Sequence, residues 1–309
     1  MANQNTSVSE MIAKNNGKKK GISDKIVPII LGIIAICSIL ATVGIIVTLL
    51  TETITFFTRV PITEFLFSKE WNPFSSTPQY GIWALILGTL KITVIATIVA
   101  VPLGLGAALY LSEYASTRVR KIIKPILEIL SGIPTIVFGF FALTFVTPVL
   151  RAIFPELGSF NSISPGIVVG VMIIPLISSM SEDAMSSVPN KMREGALGLG
   201  ATKFEVATKV ILPAATSGIM ASIVLAVSRA IGETMIVSLA AGSTPSSSLD
   251  LTGSIQTMTG YIVQVATGDA TFGSDIYYSI YAVGFTLFLF TLVMNLISQW
   301  ITKRFREEY

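Results

Sequence analysis

Arg229 and Glu233 stand four residues apart in ASIVLAVSRAIGETM (221–235), a stretch with no other charged residue. A charge inside an apolar helix long enough to cross a bilayer is expensive and usually functional. Two kinds of chemistry fit the spacing. An acid and a base at i and i+4 share a helix face and can neutralise each other as a structural pair. A guanidinium also presents a planar fork of donors that suits oxyanions. The two are compatible, with Glu233 holding Arg229 until an anion replaces or joins it. Ala214, Gly218, Ser222, Ala226, Ala230 and Thr234 form an i+4 row of small residues, which is a close helix-packing surface. Ser222 and Ala226 share the face of Arg229 and Glu233, so the charges border that seam and should face protein or a water-filled path. Lys91 is a second cation in an apolar run. It lies about 9 residues (~13 Å) below the outer end of its segment, against about 11 residues (~16 Å) for Arg229. It can approach the same anion; snorkelling to the interface, or pairing with Glu128 or Glu233, is the competing reading. Glu128, near the opposite end of its own segment, reads as structural.

The elements that must position these residues are membrane helices. The chain has 309 residues, 52% hydrophobic and 13% charged, where soluble domains carry about 25% charged residues; its mean hydropathy is +0.75. Histidine is absent, which excludes a histidine triad, a histidine metal site and a histidine proton relay. Cys37 is the single cysteine and can form no internal disulfide.

Residues 1–25 form a polar tail ending in basic residues, and 26–309 a membrane domain. Six apolar segments of roughly 20 residues fall at about 26–50, 82–111, 122–148, 164–182, 214–240 and 278–301. The first is too long for a signal-peptide core and lacks a small-residue cleavage site, so it reads as an uncleaved anchor. The second is expected to break near Val101-Pro102-Leu103-Gly104 and the third at Ser131-Gly132-Ile133-Pro134. Six spans put both termini on one side. The tail, the 112–124 and 183–213 loops and the C-terminus hold sixteen Lys and Arg, against Arg59, Lys69 and Arg151 in the opposite loops. That asymmetry makes both termini cytoplasmic and puts the 241–277 loop outside.

The loop from 184 to 213 is long for a connector between spans. Asn190 is placed to cap a first helix, Gly198 and Gly200 weaken its end, and Thr202 with Glu205 has capping-box spacing for a second helix running to Val210. Pro213 opens the next span. The expectation is helix, glycine hinge, helix, a natural handle for a soluble partner.

Here the chain resembles the permeases of ABC importers, which carry EAA-x3-G-x9-I-x-LP in this loop. Glu194-Gly195-Ala196, Gly200, Val210 and Leu212-Pro213 match it, with Gly195 in place of Ala and Val210 in place of Ile. The resemblance implies an all-α type I importer permease fold, with Asn190–Gly200 as the coupling helix that docks on an ATPase subunit. Arg193, Glu194, Gly195, Ala196, Gly200, Leu212 and Pro213 would be the coupling residues. Arg229-Ala230-Ile231-Gly232-Glu233-Thr234-Met235 is similar to the RA-[IL]-GET signature of phosphate permeases. LGLGAALYLSE (103–113) and SGIPTIVFGFF (131–141) point the same way, and FLFSKEWNPF resembles the PstC-type member. A phosphate ABC-transporter permease of that type would work with a PstA-type permease, two ATPase subunits and an extracellular phosphate-binding protein, in a bacterial or archaeal cell membrane. No G-x-x-x-x-G-K-[ST] loop occurs in the chain, so ATP is expected on the ATPase subunits, with no cofactor or metal here and no enzymatic activity of its own. A sulfate or molybdate permease is the first alternative, disfavoured by Thr234-Met235. A proton-coupled secondary transporter is the second, disfavoured by the lack of an intramembrane acid or histidine relay.

Overall fold

The computed structural model describes residues 22–268 and 270–304; most of the polar tail expected over 1–25, and Arg306, lie outside them. The chain divides into two compact units, the second starting at Glu52. Helix α1 (Ile22–Arg59) begins in the first unit, where residues 26–51 are apolar on every side and mostly exposed, Ile45 at 69%. A helix hydrophobic all round belongs in a core or a bilayer. Thr42 and Thr48 return their hydroxyls to the carbonyls of Ser38 and Gly44, so the helix leaves few polar groups open.

In the second unit, the end of α1 leads to a short helix, α2 (Ile62–Phe67), and a two-residue antiparallel pair, β1 (Trp71–Asn72) with β2 (Gln79–Tyr80). An aromatic cluster fixes them. Phe56 meets Tyr80 and Trp71 meets Tyr261 edge-to-face, with ring centroids 5.3 and 4.8 Å apart.

Helix α3 (Trp83–Leu109) runs on through a π-helical turn, Tyr110–Tyr114. The break expected near 101–104 is not there. Pro102 sits inside the helix, as neighbouring helices permit in membrane proteins, and Gly104 serves contact: a Cβ there would lie 2.9 Å from the Ile177 side chain. Ile177 belongs to α7 (Ile163–Ser186), which lies along α3. Gly170 of α7 meets the carbonyl of Ala96 in the same way, at 2.9 Å. The two helices therefore approach backbone to backbone, the packing that small residues allow in a bilayer.

The segment expected as one span over 122–148 divides. Helix α4 (Thr117–Ser131), capped by Ser116, is amphipathic and has no buried residue. After Gly132–Pro134 come α5 (Thr135–Phe141), a π turn over Ala142–Val146 and α6 (Thr147–Ile153), which together form the apolar rod. Arg118, Arg120, Lys121 and Lys124 give α4 too much charge for a lipid-facing span, and Pro134 separates the two.

Beyond α7 lie α8 (Asn190–Gly198), α9 (Lys203–Val206), a π turn Ala207–Ile211 and α10 (Leu212–Ala214). The chain then bends by 72° into α11 (Thr216–Ile231). The span expected over 214–240 is likewise interrupted: α11 stops at Ile231 and α12 (Met235–Ala240) follows. Helices α13 (Met258–Thr267) and α14 (Asp275–Arg304) complete the chain. Among the described residues, five helices are long and apolar enough to cross a membrane, or six counting the bent pair as one. The main core, with Ile92, Ala96, Ile173, Ala226, Ala230 and Ile236, lies where α3, α7, α11 and α12 meet.

Candidate functional site

The small-residue row of α11 packs against α7. Gly218 is required there, since a Cβ would lie 2.5 Å from that of Ala184, and Ala226 and Ala230 are buried. Ser222 is fully buried in the same seam; it donates to the Ile219 carbonyl at 2.8 Å and meets the Ser181 hydroxyl of α7, also at 2.8 Å. Its polar group thus joins two helices.

Arg229 and Glu233 are not paired. Because α11 ends at Ile231, Glu233 does not stand one helical turn above Arg229. Its carboxylate turns to the next element instead, where Oε1 accepts from the backbone N–H of Met235 at 3.1 Å and of Ile236 at 3.3 Å. An anion at a helix start satisfies open N–H groups and is favoured by the helix dipole. The Glu233 carbonyl accepts from the Thr259 hydroxyl at 2.8 Å, which ties the break to α13. Glu233 is therefore buried and committed.

Arg229 is exposed and, among the described residues, makes neither hydrogen bond nor ion pair. It lines a cleft of about 220 Å³ together with Lys124, Glu128 and Ser131 of α4 and Pro175, Ser179 and Glu182 of α7. On α4 the lining positions recur at i, i+4 and i+7, one face of the helix; Ile122, Ile126 and Ile129 occupy another, exposed face. Glu182 is buried against Lys124, whose Nζ is 2.5 Å from Oε2, and Arg120, whose Nε is 3.6 Å from Oε1. Glu182 and its two cations did not stand out in the sequence; the one available signal was an acid near the end of an apolar segment with a basic loop elsewhere.

Lys91 does not line this cleft. It is buried, and its Nζ donates to the carbonyl of Asp250 at 2.9 Å. Asp250 belongs to a strap, 241–257, that lies against the protein. Ser162 donates to the Leu251 carbonyl at 2.8 Å, Gly158 N–H to the Thr252 carbonyl at 2.9 Å, and Met258 N–H, just past the strap, to the Thr89 hydroxyl at 3.1 Å. Gly88 of α3 permits the approach, because a Cβ there would be 2.1 Å from the Gln256 carbonyl. The Asp250 carboxyl is held below its usual range by the N–H and hydroxyl of Thr252, with Lys91 a lesser cause.

The 184–213 loop folds as helix, turn, helix, with Gly200 at φ +88°, a conformation suited to glycine. Pro189 takes the cap position expected for Asn190, and the Asn190 side chain accepts from Arg193 at 3.3 Å. The Thr202–Glu205 capping box is formed and, with Lys209, lowers the Glu205 carboxyl to about 2. Arg193 faces inward: Nη2 is 3.0 Å from Glu113 Oε1 and donates to the Met185 carbonyl at 2.6 Å, while Nη1 donates to the Val188 carbonyl. Glu194 and Gly195 are exposed, Ala196 packs beneath, Leu212 is half-buried and Pro213 exposed. Leu199 and Phe204 are 91% and 65% exposed, an apolar surface on an otherwise polar loop.

Several helices long and apolar enough to cross a membrane, one of them ending beside an exposed arginine, are the frame of a multi-pass membrane protein. The chain belongs to the family of binding-protein-dependent transport system inner membrane components, whose model matches residues 100–307. It is thus the permease subunit of an ABC importer. It is 36% identical over 245 residues to the probable ABC transporter permease protein YqgH of Bacillus subtilis, covering 78% of each chain. To the phosphate transport system permease protein PstC of Mesorhizobium japonicum it is 32% identical over 260 residues, again 78% of each. A probable PstC of Methanocaldococcus jannaschii is 30% identical, covering 74% of this chain and 77% of the relative. Among solved structures, a chain of a bacterial alginate ABC transporter shares the fold with a TM-score of 0.63 at 17% identity, over 93% of this chain and 98% of that one. A chain of the MetNI methionine transporter does so at 0.54 and 17%, over 74% and 95%. The fold is that of type I importer permeases.

Proposed function

We propose that this chain is the permease of an ATP-driven importer of inorganic phosphate, and that Arg229 contacts the anion in passage. The observation that carries this is the unpaired Arg229 guanidinium, which opens into a cleft between α4, α7 and α11. An ion at membrane depth needs a partner or a water path. With Glu233 committed to α12, a passing oxyanion is the partner that the planar donor fork fits. Relatives named as phosphate permeases support phosphate within the oxyanions. Lys91, beneath the strap, becomes available to the anion when Asp250 lifts away.

The excess of basic residues on one set of loops supports cytoplasmic termini and an outer strap. The exposed surface of Glu194, Leu199 and Phe204 is then the docking face for an ATPase subunit, a second permease completes the path, and an extracellular phosphate-binding protein delivers substrate to the outer loops. Nucleotide binds to the ATPase subunits.

The test is radiolabelled phosphate uptake at matched permease levels. Arg229→Gln keeps size and hydrogen bonding but loses the charge. A charge-assisted hydrogen bond contributes about 1.5–3 kcal/mol, so uptake should fall about ten-fold or more. Arg229→Lys should retain part of it. Uptake that survives Arg229→Gln, or that excess sulfate abolishes as well as unlabelled phosphate does, rejects this assignment.

A further inference from the structure

Below Arg229, the cleft carries a second cation held by side-chain carboxylates alone. Glu182 of α7 is fully buried, yet two cations of α4 share it. They are held differently. Arg120 is anchored by backbone: Nη2 donates to the carbonyls of Leu111 at 2.6 Å and Ser112 at 3.1 Å, and Nε to Leu111 at 3.1 Å. Lys124 touches only carboxylates, Glu182 and, at 3.3 Å, the exposed Asp183. Its contact with Glu182 is a close ion pair, and its side chain is 34% exposed where it forms the cleft wall. When Lys124 leaves Glu182, Arg120 remains as its counter-charge, with Nε 3.6 Å from Oε1. Arg120 cannot leave without stranding two carbonyls.

Along α7, Pro175, Ser179 and Glu182 descend the cleft at i, i+4 and i+7, about 10 Å from first to last. Ser179 has no hydrogen-bond partner among the described residues. An anion released by Arg229 therefore meets a hydroxyl and then the Lys124 ammonium. We propose that Lys124 is a second anion-binding residue on the cytoplasmic side of Arg229, held by Glu182 when the path is empty and surrendered to the phosphate on its way out. Glu182 is the positioning residue that takes Lys124 back and so releases the ion. This inference rests on the anion-path reading of Arg229, and its test separates the two.

Ser179→Cys, in a Cys37→Ala background and in membranes holding the assembled transporter, places a thiol in the cleft and leaves both cations intact. Reaction rates are compared for methanethiosulfonates bearing a sulfonate or a trimethylammonium group, applied from the cytoplasmic side. The anionic reagent should react about five-fold faster, the scale of one nearby charge in a partly solvated cleft, and millimolar inorganic phosphate should slow it. Adding Lys124→Gln should remove both effects; adding Lys124→Arg should keep them; adding Glu182→Gln should strengthen the preference and slow uptake by retaining the anion. In uptake, Lys124→Gln should lower the maximal rate while the external half-saturating concentration stays unchanged. If Lys124→Gln alters neither the reagent preference nor the uptake, while Arg229→Gln abolishes uptake, the second station is rejected and the Arg229 assignment stands. If neither variant affects uptake, both are rejected. A Lys124→Gln protein absent from the membrane shifts the decision to Lys124→Arg and Glu182→Gln, where an unchanged preference in Glu182→Gln rejects the proposal.

Discussion

Arg229 and Glu233 have opposite relations to their surroundings, and their variants should differ accordingly. The Arg229 side chain holds nothing in place among the described residues. Arg229→Gln should leave the thermal midpoint of the purified transporter nearly unchanged while uptake collapses. Glu233 accepts from two backbone N–H groups. Glu233→Ala leaves them open at a buried helix start and should cost about 1–3 kcal/mol, read as a lowered midpoint; Glu233→Gln keeps an acceptor oxygen and should cost less. The double variant Arg229→Gln with Glu233→Gln should not regain uptake, since the two side chains do not neutralise each other. Full uptake by that double variant would mean that they pair in a working state, and would leave Arg229 without a role toward the anion.

At the scale of elements, α8 and α9 turn on Gly200, with φ +88° and nothing within 4 Å of where a Cβ would stand. Gly200→Val meets no clash but must enter a left-handed conformation, at a cost of roughly 1–2 kcal/mol. The turn should reshape, and substrate-stimulated ATP hydrolysis by the complex should fall while the permease still inserts; unchanged hydrolysis and co-purification would remove the loop from coupling. The carboxyl of Glu205, lowered to about 2, stabilises α9 above its unfolded value of 4.5 and loses that contribution as pH falls toward 2. Thr202→Ala breaks the same box at neutral pH and should cost about 1 kcal/mol, measured as faster hydrogen exchange at the start of α9. The capping box could be read from two residues because it is local. Long apolar runs likewise located α3, α7 and α14. Pro102 and Pro134 look alike in sequence, and only tertiary packing decides that the first is absorbed and the second separates two helices. The Arg229–Glu233 spacing misleads for a related reason: the i+4 rule assumes a continuous helix, and this one stops between the two. Lys124 with Glu182, and Lys91 with the Asp250 carbonyl, join residues far apart in the chain, for which no spacing rule exists.

For the whole molecule, the distribution of basic residues makes orientation testable. Single cysteines at Ser247, on the strap, and Lys203, at the start of α9, are both exposed positions. In a Cys37→Ala background, an impermeant thiol reagent should label the first from outside intact cells and the second only after permeabilisation; the reverse pattern overturns the topology. Gly88→Ala should push against the Gln256 carbonyl, loosen the strap and raise labelling at Ser247 above the parent rate. Arg193 bears on a different use of the molecule. It binds the carbonyls of Met185 and Val188 at the end of α7 and the Glu113 carboxylate beyond α3 at once, so the loop is fastened to one residue outside its own segment. Anyone grafting the 184–213 loop between two such permeases must transplant the partner at position 113 with it, or the recipient receives an arginine with no carboxylate to meet.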